Sequence, residues 1–134
     1  MARKPNAHPF TRPSDSELDI LSILWKSGPA TVRQVHDDLS RTKPSQYTTT
    51  LKLMQIMVDK GLLERNDVDR SHVYRPKIPK KLTQRRMAAH LLNRAFGGSV
   101  HSLLVGALEA KTASPEELDA LSELIEQRRK RGRK

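Results

Sequence analysis

The stretch from Ser45 to Ile78 constrains the fold of this chain most strongly. It begins with a segment of helical periodicity and polar front that stops at Gly61, a residue type favoured just beyond a helix C-terminus. Two short runs of strand-forming residues follow, over 62–66 and 72–78, joined by residue types that turns use. Pro76 and Pro79 forbid a long ladder between the two runs. The stretch therefore predicts a helix with a small β-hairpin directly behind it.

Two shorter helices are predicted before this unit. Ser14 and Glu17 have the spacing of a capping box, and apolar residues of helical period follow until a Gly-Pro pair. Thr31 is expected to cap a second helix, residues 41–44 to form a turn, and Ser45 to start the third helix. This order of elements is the pattern of a winged helix-turn-helix. In that fold the third helix can enter the DNA major groove while the hairpin reaches the flanking backbone.

The sequence becomes helical again from Lys80, with breaks at Gly97-Gly98 and before Ser114-Pro115. These helices carry apolar stripes and few residues of their own to cover them, and such helices usually pack against a partner. A two-fold dimer is the default solution. The residues expected in the dimer interface are Leu91, Leu92, Phe96, Val100, Leu103, Leu104, Leu108, Leu118, Leu121, Leu124 and Ile125.

The expected fold class is mainly α with a small β-hairpin. We expect a flexible basic arm over residues 1–13 and a winged-helix DNA-binding domain over 14–79. A helical dimerisation region is expected over 80–127, and a basic, frayed tail over 128–134.

Charge and composition limit the classes of function. The formal net charge is +10 and the isoelectric point is about 10.3, which predicts a polyanionic partner. A solvated cationic surface or a ribosomal protein would show the same charge. The chain has no cysteine, so disulfides, thiolate metal sites and a cysteine nucleophile are excluded. An aromatic content of 4% weakens any case for single-strand binding by base stacking.

Neither an enzyme nor a membrane protein is expected. The sequence contains no Gly-rich phosphate loop, nucleophile elbow or zinc-protease motif, and its histidines have no short metal spacing. We therefore expect no catalytic residue, no metal and no cofactor. No apolar run reaches ~18 residues, and the first residues lack the apolar core of a signal peptide, so a cytoplasmic location without membrane contact is expected.

The polar face of the third helix suits a DNA groove. With Thr50 at the centre of its inward face, hydroxyl, amide and ammonium side chains fall on the opposite side, where they can reach bases or phosphates. An ordinary amphipathic helix with a solvated face would show this pattern too, but the hairpin and the basic flanks favour groove binding. The expected DNA-binding residues are Arg41, Lys43, Ser45, Gln46, Tyr47, Thr48, Thr49, Lys52, Gln55, Arg70, Ser71 and His72.

Four segments, residues 17–25, 28–33, 47–49 and 58–63, carry a family resemblance. They resemble the penicillinase-repressor and methicillin-resistance-repressor family of bacterial transcriptional regulators. The resemblance implies an N-terminal winged helix, a C-terminal helical dimerisation region and repression by dimers bound to palindromic operators. By position, the groove-facing residues that it implies are Gln46, Thr48, Thr49 and Lys52.

Departures from the family concern operator choice and regulation. Leu51 and Ile56 stand where family members often have basic residues, and Leu51 could pack or touch a thymine methyl. The helix around Gly106-Ala107 matches the one that carries an Asn-Phe cleavage bond in antibiotic-responsive members, so a sensor protease is an open partner. The C-terminal cysteine cluster of the copper-responsive branch is absent.

Two functions remain at this point. The first is a homodimeric repressor that binds double-stranded operator DNA. The alternative is a winged-helix protein-interaction or RNA-associated module, since fold does not fix function. Leu51 and Ile56 give some support to the alternative. The polar front of the third helix, together with the basic flanks, favours the repressor.

Overall fold

The computed structural model describes residues 12–67 and 71–132. Residues 1–11 of the expected arm, Arg70 of the expected DNA-binding set and residues 133–134 of the tail lie outside these ranges. Within the described residues, the elements are α1 (Asp15–Ser27), α2 (Val32–Ser40), α3 (Tyr47–Asp59), β1 (Leu63–Asn66), β2 (Val73–Pro76), α4 (Lys80–Ala95), α5 (Val100–Ala110) and α6 (Pro115–Gly132). The expected fold class, mainly α with one small hairpin, is confirmed. The chain divides between Ala88 and Ala89 into two compact units.

Capping boxes start the first two helices, as the sequence predicts. At α1, the Ser14 hydroxyl accepts from the Glu17 amide at 3.2 Å, and the Glu17 carboxylate accepts from the Ser14 amide at 2.9 Å. At α2, Thr31 and Gln34 make the same reciprocal pair at 3.2 and 2.9 Å. Each box satisfies amides that have no partner within the helix, so both helices begin at defined residues.

The third helix begins two residues later than predicted. Its first residue is Tyr47, and Gln46 is the N-cap, without a side-chain hydrogen bond to the helix. The prediction of Ser45 as the start is wrong because the ladder begins at Gln46, whose carbonyl accepts from the Thr50 amide at 3.3 Å. Ser45 lies just outside the helix, where its side chain is exposed.

The end of α3 falls where the sequence predicts it. Gly61 has φ +81°, a left-handed conformation that favours glycine. The Gly61 amide donates to the Val58 carbonyl at 3.0 Å, and the Leu62 amide donates to the Met57 carbonyl at 2.8 Å. This pair of bonds is a Schellman motif, which satisfies the last carbonyls of α3 and turns the chain directly into β1.

The hairpin pairs β1 and β2 in antiparallel register, with Leu63 opposite Pro76 and Asn66 opposite Val73. Both strands are shorter than predicted, at four residues each. The Tyr74 amide also donates to the Ala30 carbonyl at 2.8 Å, and the Ala30 amide donates to the Tyr74 carbonyl at 3.0 Å. This bridge ties the hairpin to the segment before α2 and fixes its position beside the three helices.

One hydrophobic core joins the first three helices and the hairpin. Its buried members are Ile20, Leu21, Leu24, Ala30, Val32, Val35, Met54, Met57, Leu62, Leu63 and Tyr74. Full burial of a side chain such as Met54 or Met57 is worth about 1.5–3 kcal/mol. Since these methionines hold one face of α3 in the core, the opposite face must point outward.

The second unit has no closed core of its own. The structure describes residues 89–132 completely, and no side chain among them is buried. Leu91, Val100 and Leu108 are exposed, and Leu92, Phe96 and Leu103 are only partly covered. The unit therefore leaves apolar surface open on all three of its helices.

The last helix is longer than predicted. Fraying from Arg128 onward is a wrong prediction for residues 128–132, because α6 continues to Gly132. Arg129, Lys130 and Arg131 occupy its last turn, where positive charge interacts favourably with the C-terminal end of the helix dipole. None of the described helices is both long and apolar enough to cross a membrane.

Candidate nucleic-acid interface

The outward face of α3 carries the polar side chains that the sequence places there. Thr48, Thr49, Lys52 and Gln55 are exposed, as is Gln46 just before the helix. The opposite face is buried through Thr50, Met54 and Met57. The result is a helix that presents hydroxyl, amide and ammonium groups to solvent.

Ile56 adds an apolar group to the same face. Its side chain is 39% exposed. At 100° per residue it falls between Lys52 and Thr49 around the helix. Leu51, by contrast, is partly buried and packs against the core. Of the two apolar departures from the family pattern, Ile56 is therefore the one that faces outward.

A histidine from α2 anchors the first half of α3. His36 Nδ1 lies 2.9 Å from the hydroxyl of Thr50, which is 1% exposed, and His36 Nε2 lies 3.4 Å from the Ser40 hydroxyl. A buried hydroxyl without a partner would be costly, so this contact fixes the distance between α2 and α3. Sequence reasoning missed the residue because a single histidine beside core positions looks like an ordinary surface residue.

Tyr47 packs onto α2 rather than standing free on the outward face. It is partly buried, the Arg33 guanidinium lies 4.5 Å from its ring centroid, and the His36 ring meets it edge-on at 5.6 Å. The stacking of Arg33 on this ring brings a cation to the start of α3. Arg33 is therefore an addition to the basic side chains expected near this helix.

The turn before α3 holds two exposed cations. Arg41 Nη1 lies 3.6 Å from Asp38, and Lys43 Nζ lies 3.9 Å from Asp19. Exposed ion pairs of this kind contribute about 0–1 kcal/mol. Both cations can therefore exchange these carboxylates for a phosphate at little cost.

The wing, defined as β1, β2 and their connection, contains an internal charge cluster. Asp67 Oδ1 lies 2.8 Å from Arg65 Nε and 2.7 Å from His72 Nδ1. The hydrogen bond with His72 is the main reason that the pKa of Asp67 lies below its ordinary value, and the charge of Arg65 acts in the same direction. Of the residues expected to bind DNA here, His72 is engaged with Asp67 and Ser71 is exposed. Arg70 is outside the described residues.

A second anchor holds the far end of α3. Lys60 Nζ lies 2.8 and 3.0 Å from the two carboxylate oxygens of Glu17, which is buried at the start of α1. Burial raises the pKa of Glu17, but the hydrogen bonds from Lys60 and Ser14 outweigh it and bring the pKa below its ordinary value. The sequence predicted only the capping role of Glu17. Between them, His36 and Lys60 fix both ends of the outward-facing helix.

No metal centre accompanies this surface within residues 12–67 and 71–132, where no group of three or more His, Cys, Asp or Glu side chains is placed to hold an ion.

Comparison with known proteins places these features in one family. The sequence model of the penicillinase repressor family matches residues 13–127. The chain is 27% identical over 118 residues to the penicillinase repressor of Bacillus licheniformis, covering 88% of this chain and 92% of that protein. It is 34% identical over 114 residues to the transcriptional regulator BlaI of Mycobacterium tuberculosis, covering 84% of this chain and 81% of that protein. The solution structure of monomeric Bacillus licheniformis BlaI with the blaP half-operator matches 53% of this chain and 87% of that one, at 27% identity and a TM-score of 0.48.

Proposed function

The chain belongs to the penicillinase repressor family of transcriptional repressors, which are not enzymes, and from this premise we propose that it acts as a homodimer on a palindromic operator. Relatives are named as transcriptional regulators, and one of them has been solved with a half-operator. The observation that carries the proposal is the outward face of α3, polar along its length and anchored at both ends.

Direct reading of bases falls to α3 in this proposal. The helix has 13 residues and is about 20 Å long at 1.5 Å per residue, while the major groove is about 12 Å wide, so the helix can lie within it. Lys52 can donate to guanine, Gln55 to adenine, and Thr48 and Thr49 to bases or phosphates. The rigid attachment of α3 to α1 and α2 means that little side-chain or backbone order has to be gained on binding.

Phosphate contacts come from the cations around α3. Arg41 and Lys43 precede the helix, Arg33 stands beside its first residue, and the wing flanks its far end. Ser71 and His72 belong to the wing, and Arg70 remains a sequence-based expectation for the same role. These groups set the register of the protein on the duplex without reading its sequence.

A two-fold dimer supplies the second half-site. The open apolar surface of residues 89–132 needs a cover, and a second copy of the same unit provides it. Two α3 helices would then enter successive major grooves roughly 34 Å apart, which matches a palindromic operator.

The outward apolar group on α3 does not favour the alternative of a protein-interaction module. Ile56 stands alone among polar neighbours and is too small to form a protein-docking patch of a few hundred Å². An isolated aliphatic side chain on a reading helix is suited to the methyl group of thymine. A gel shift with operator duplex, competed by RNA, separates the two functions: RNA that displaces the duplex at equal concentration would favour the alternative.

Replacement of Lys52 tests the groove assignment. Since one good base contact is worth about 1–3 kcal/mol, Lys52→Ala should weaken operator binding roughly 5- to 150-fold and reduce the preference for operator over scrambled duplex. Thr49→Ala should reduce the same preference by a smaller factor. Fluorescence anisotropy titrations with both duplexes at one fixed salt concentration measure both quantities.

The matched control is Lys111→Ala, which removes the same charge at an exposed position outside α3. It should leave the operator preference unchanged. If Lys52→Ala and Thr49→Ala also leave affinity and preference at the level of the control, the groove assignment is wrong.

A further inference from the structure

The last helix carries an apolar stripe that runs along one side. The α6 stripe consists of Leu118, Leu121, Leu124 and Ile125. Leu118, Leu124 and Ile125 are 46%, 47% and 46% exposed, and Leu121 is only partly covered. Leu121 and Leu124 have the three-residue spacing of adjacent core positions in a heptad, and Leu118 and Ile125 flank them on one side. The stripe therefore has the pattern of a helix that packs against another helix.

Opposite charges stand at the two ends of the stripe. Glu117 lies four residues before Leu121, and Arg128 lies four residues after Leu124, so both side chains fall on the line of the stripe. Glu117 is in the first turn of α6, and Arg128 lies just before the basic last turn. Glu123 and Lys130, by contrast, point to the opposite side of the helix at 100° per residue.

We propose that the α6 helices of two copies of this chain pack antiparallel about a two-fold axis that passes midway between Leu121 and Leu124. This inference rests on the proposed homodimer and specifies its contact. In this register Leu121 faces the partner's Leu124, and the reverse contact is formed across the axis. The pairing of unlike core positions is the rule for antiparallel coiled helices, as like positions pair in parallel ones.

The same register places Glu117 against the partner's Arg128, because the two residues are equally far from the axis on either side. Each dimer contains this ion pair twice. A parallel arrangement would instead set Glu117 against its own copy and Arg128 against its own copy, which repels at both ends. Leu118 and the partner's Ile125 lie on the same flank in the antiparallel arrangement, so they extend the apolar contact. Charge complementarity thus selects both the occupant and its direction.

Charge reversal in the full chain tests the register in the absence of DNA. Glu117→Arg and Arg128→Glu should each raise the dimer dissociation constant by at least about tenfold, since each sets like charges opposite each other twice. The double variant Glu117→Arg/Arg128→Glu should return to within about threefold of the original chain. Glu123→Arg makes the same change in net charge on the opposite side of α6 and should leave the constant unchanged. Sedimentation equilibrium measures the constant, and far-ultraviolet circular dichroism checks that each variant keeps its helices.

Cysteine cross-linking gives a second readout, which is unambiguous because the chain has no cysteine. Glu117→Cys/Arg128→Cys should form disulfide-linked dimers under mild oxidation. Glu117→Cys alone should not, since its two copies would be about 16 Å apart along the helices at 1.5 Å per residue. Cross-linking of the single variant would show a parallel arrangement and overturn the proposal.

The remaining outcomes also decide. If the charge reversals behave like Glu123→Arg, or if the double variant fails to recover, the α6 contact is wrong while the homodimer stands. If the original chain is monomeric at micromolar concentration, the proposed homodimeric repressor fails together with this inference.

Discussion

Lys60→Met is expected to lower the free energy of unfolding of the winged-helix unit by about 3 kcal/mol. The substitution keeps the aliphatic stem but removes the ammonium group that lies 2.8 Å from Glu17. The carboxylate of Glu17 would stay buried without its partner, and breaking a buried pair in this way typically costs about 3–5 kcal/mol. The low end applies because Lys60 is partly exposed and Glu17 keeps its hydrogen bond from Ser14. Urea unfolding at pH 7, followed by circular dichroism, measures the loss.

The opposite deletion should cost less. Glu17→Gln removes the charge but keeps an oxygen for the capping box, and Lys60 can turn toward water. We expect a loss of about 1–2 kcal/mol. Arg75→Met is the matched control, because it breaks an ion pair of the same 2.8 Å length with Glu64 on the exposed side of the hairpin. Such a pair is worth about 0–1 kcal/mol. Equal losses for Lys60→Met and Arg75→Met would show that the Glu17 pair has no special role.

Acid should reduce the difference between the original chain and Lys60→Met. The pKa of Glu17 is lowered in the folded protein, so its stabilising contribution is present above its unfolded pKa of about 4.3 and is lost as pH falls through the folded value. In the variant, burial acts on the carboxyl without the ammonium group, and protonation relieves the cost. The stability difference should therefore be largest near pH 7 and shrink below about pH 4. A difference that stays constant between pH 7 and pH 3.5 in urea unfolding would contradict this account.

Local signals explain why so much of the fold could be predicted from sequence. The capping boxes at Ser14 and Thr31 and the glycine at the end of α3 act within a few residues, so residue type alone identifies them. The start of α3 was misplaced for the same reason: Ser45 is the better capping residue by type, but the hydrogen-bond ladder begins at Gln46. The length of α6 was underestimated because a run of like charges was taken as frayed.

Side chains that position α3 could not be predicted because their partners are distant in sequence. Lys60 and Glu17 are 43 residues apart, and His36 and Thr50 are 14 apart. Each residue alone has an ordinary explanation as a surface or capping group. Only the packing of α1, α2 and α3 brings the pairs together. The exposed residues of α3 were accessible to sequence reasoning because helical periodicity alone divides the inward face from the outward face.

Operator affinity is expected to fall by about 10³- to 10⁵-fold between 50 and 200 mM salt. A dimer that neutralises six to ten phosphates releases counterions at each contact, and the logarithm of the binding constant then falls by about 0.9 per phosphate for each logarithmic unit of salt. The net charge of +10 per chain supports contacts in this number. Anisotropy titrations at four or more salt concentrations give the slope.

Single substitutions should divide this slope between contacts that position the protein and contacts that read bases. Lys43→Ala should reduce the slope by about 0.9 for each half-site and weaken operator and scrambled duplex alike, because its ammonium group has only a weak tie, 3.9 Å to Asp19, to exchange for a phosphate. Thr49→Ala should leave the slope unchanged and weaken only the operator complex, since a base contact by a hydroxyl releases no counterion. A shallow slope in the original chain, or the same slope in Lys43→Ala, would mean that the cations before α3 do not lie on the duplex backbone, and the placement of α3 in the groove would then have no support from its flanks.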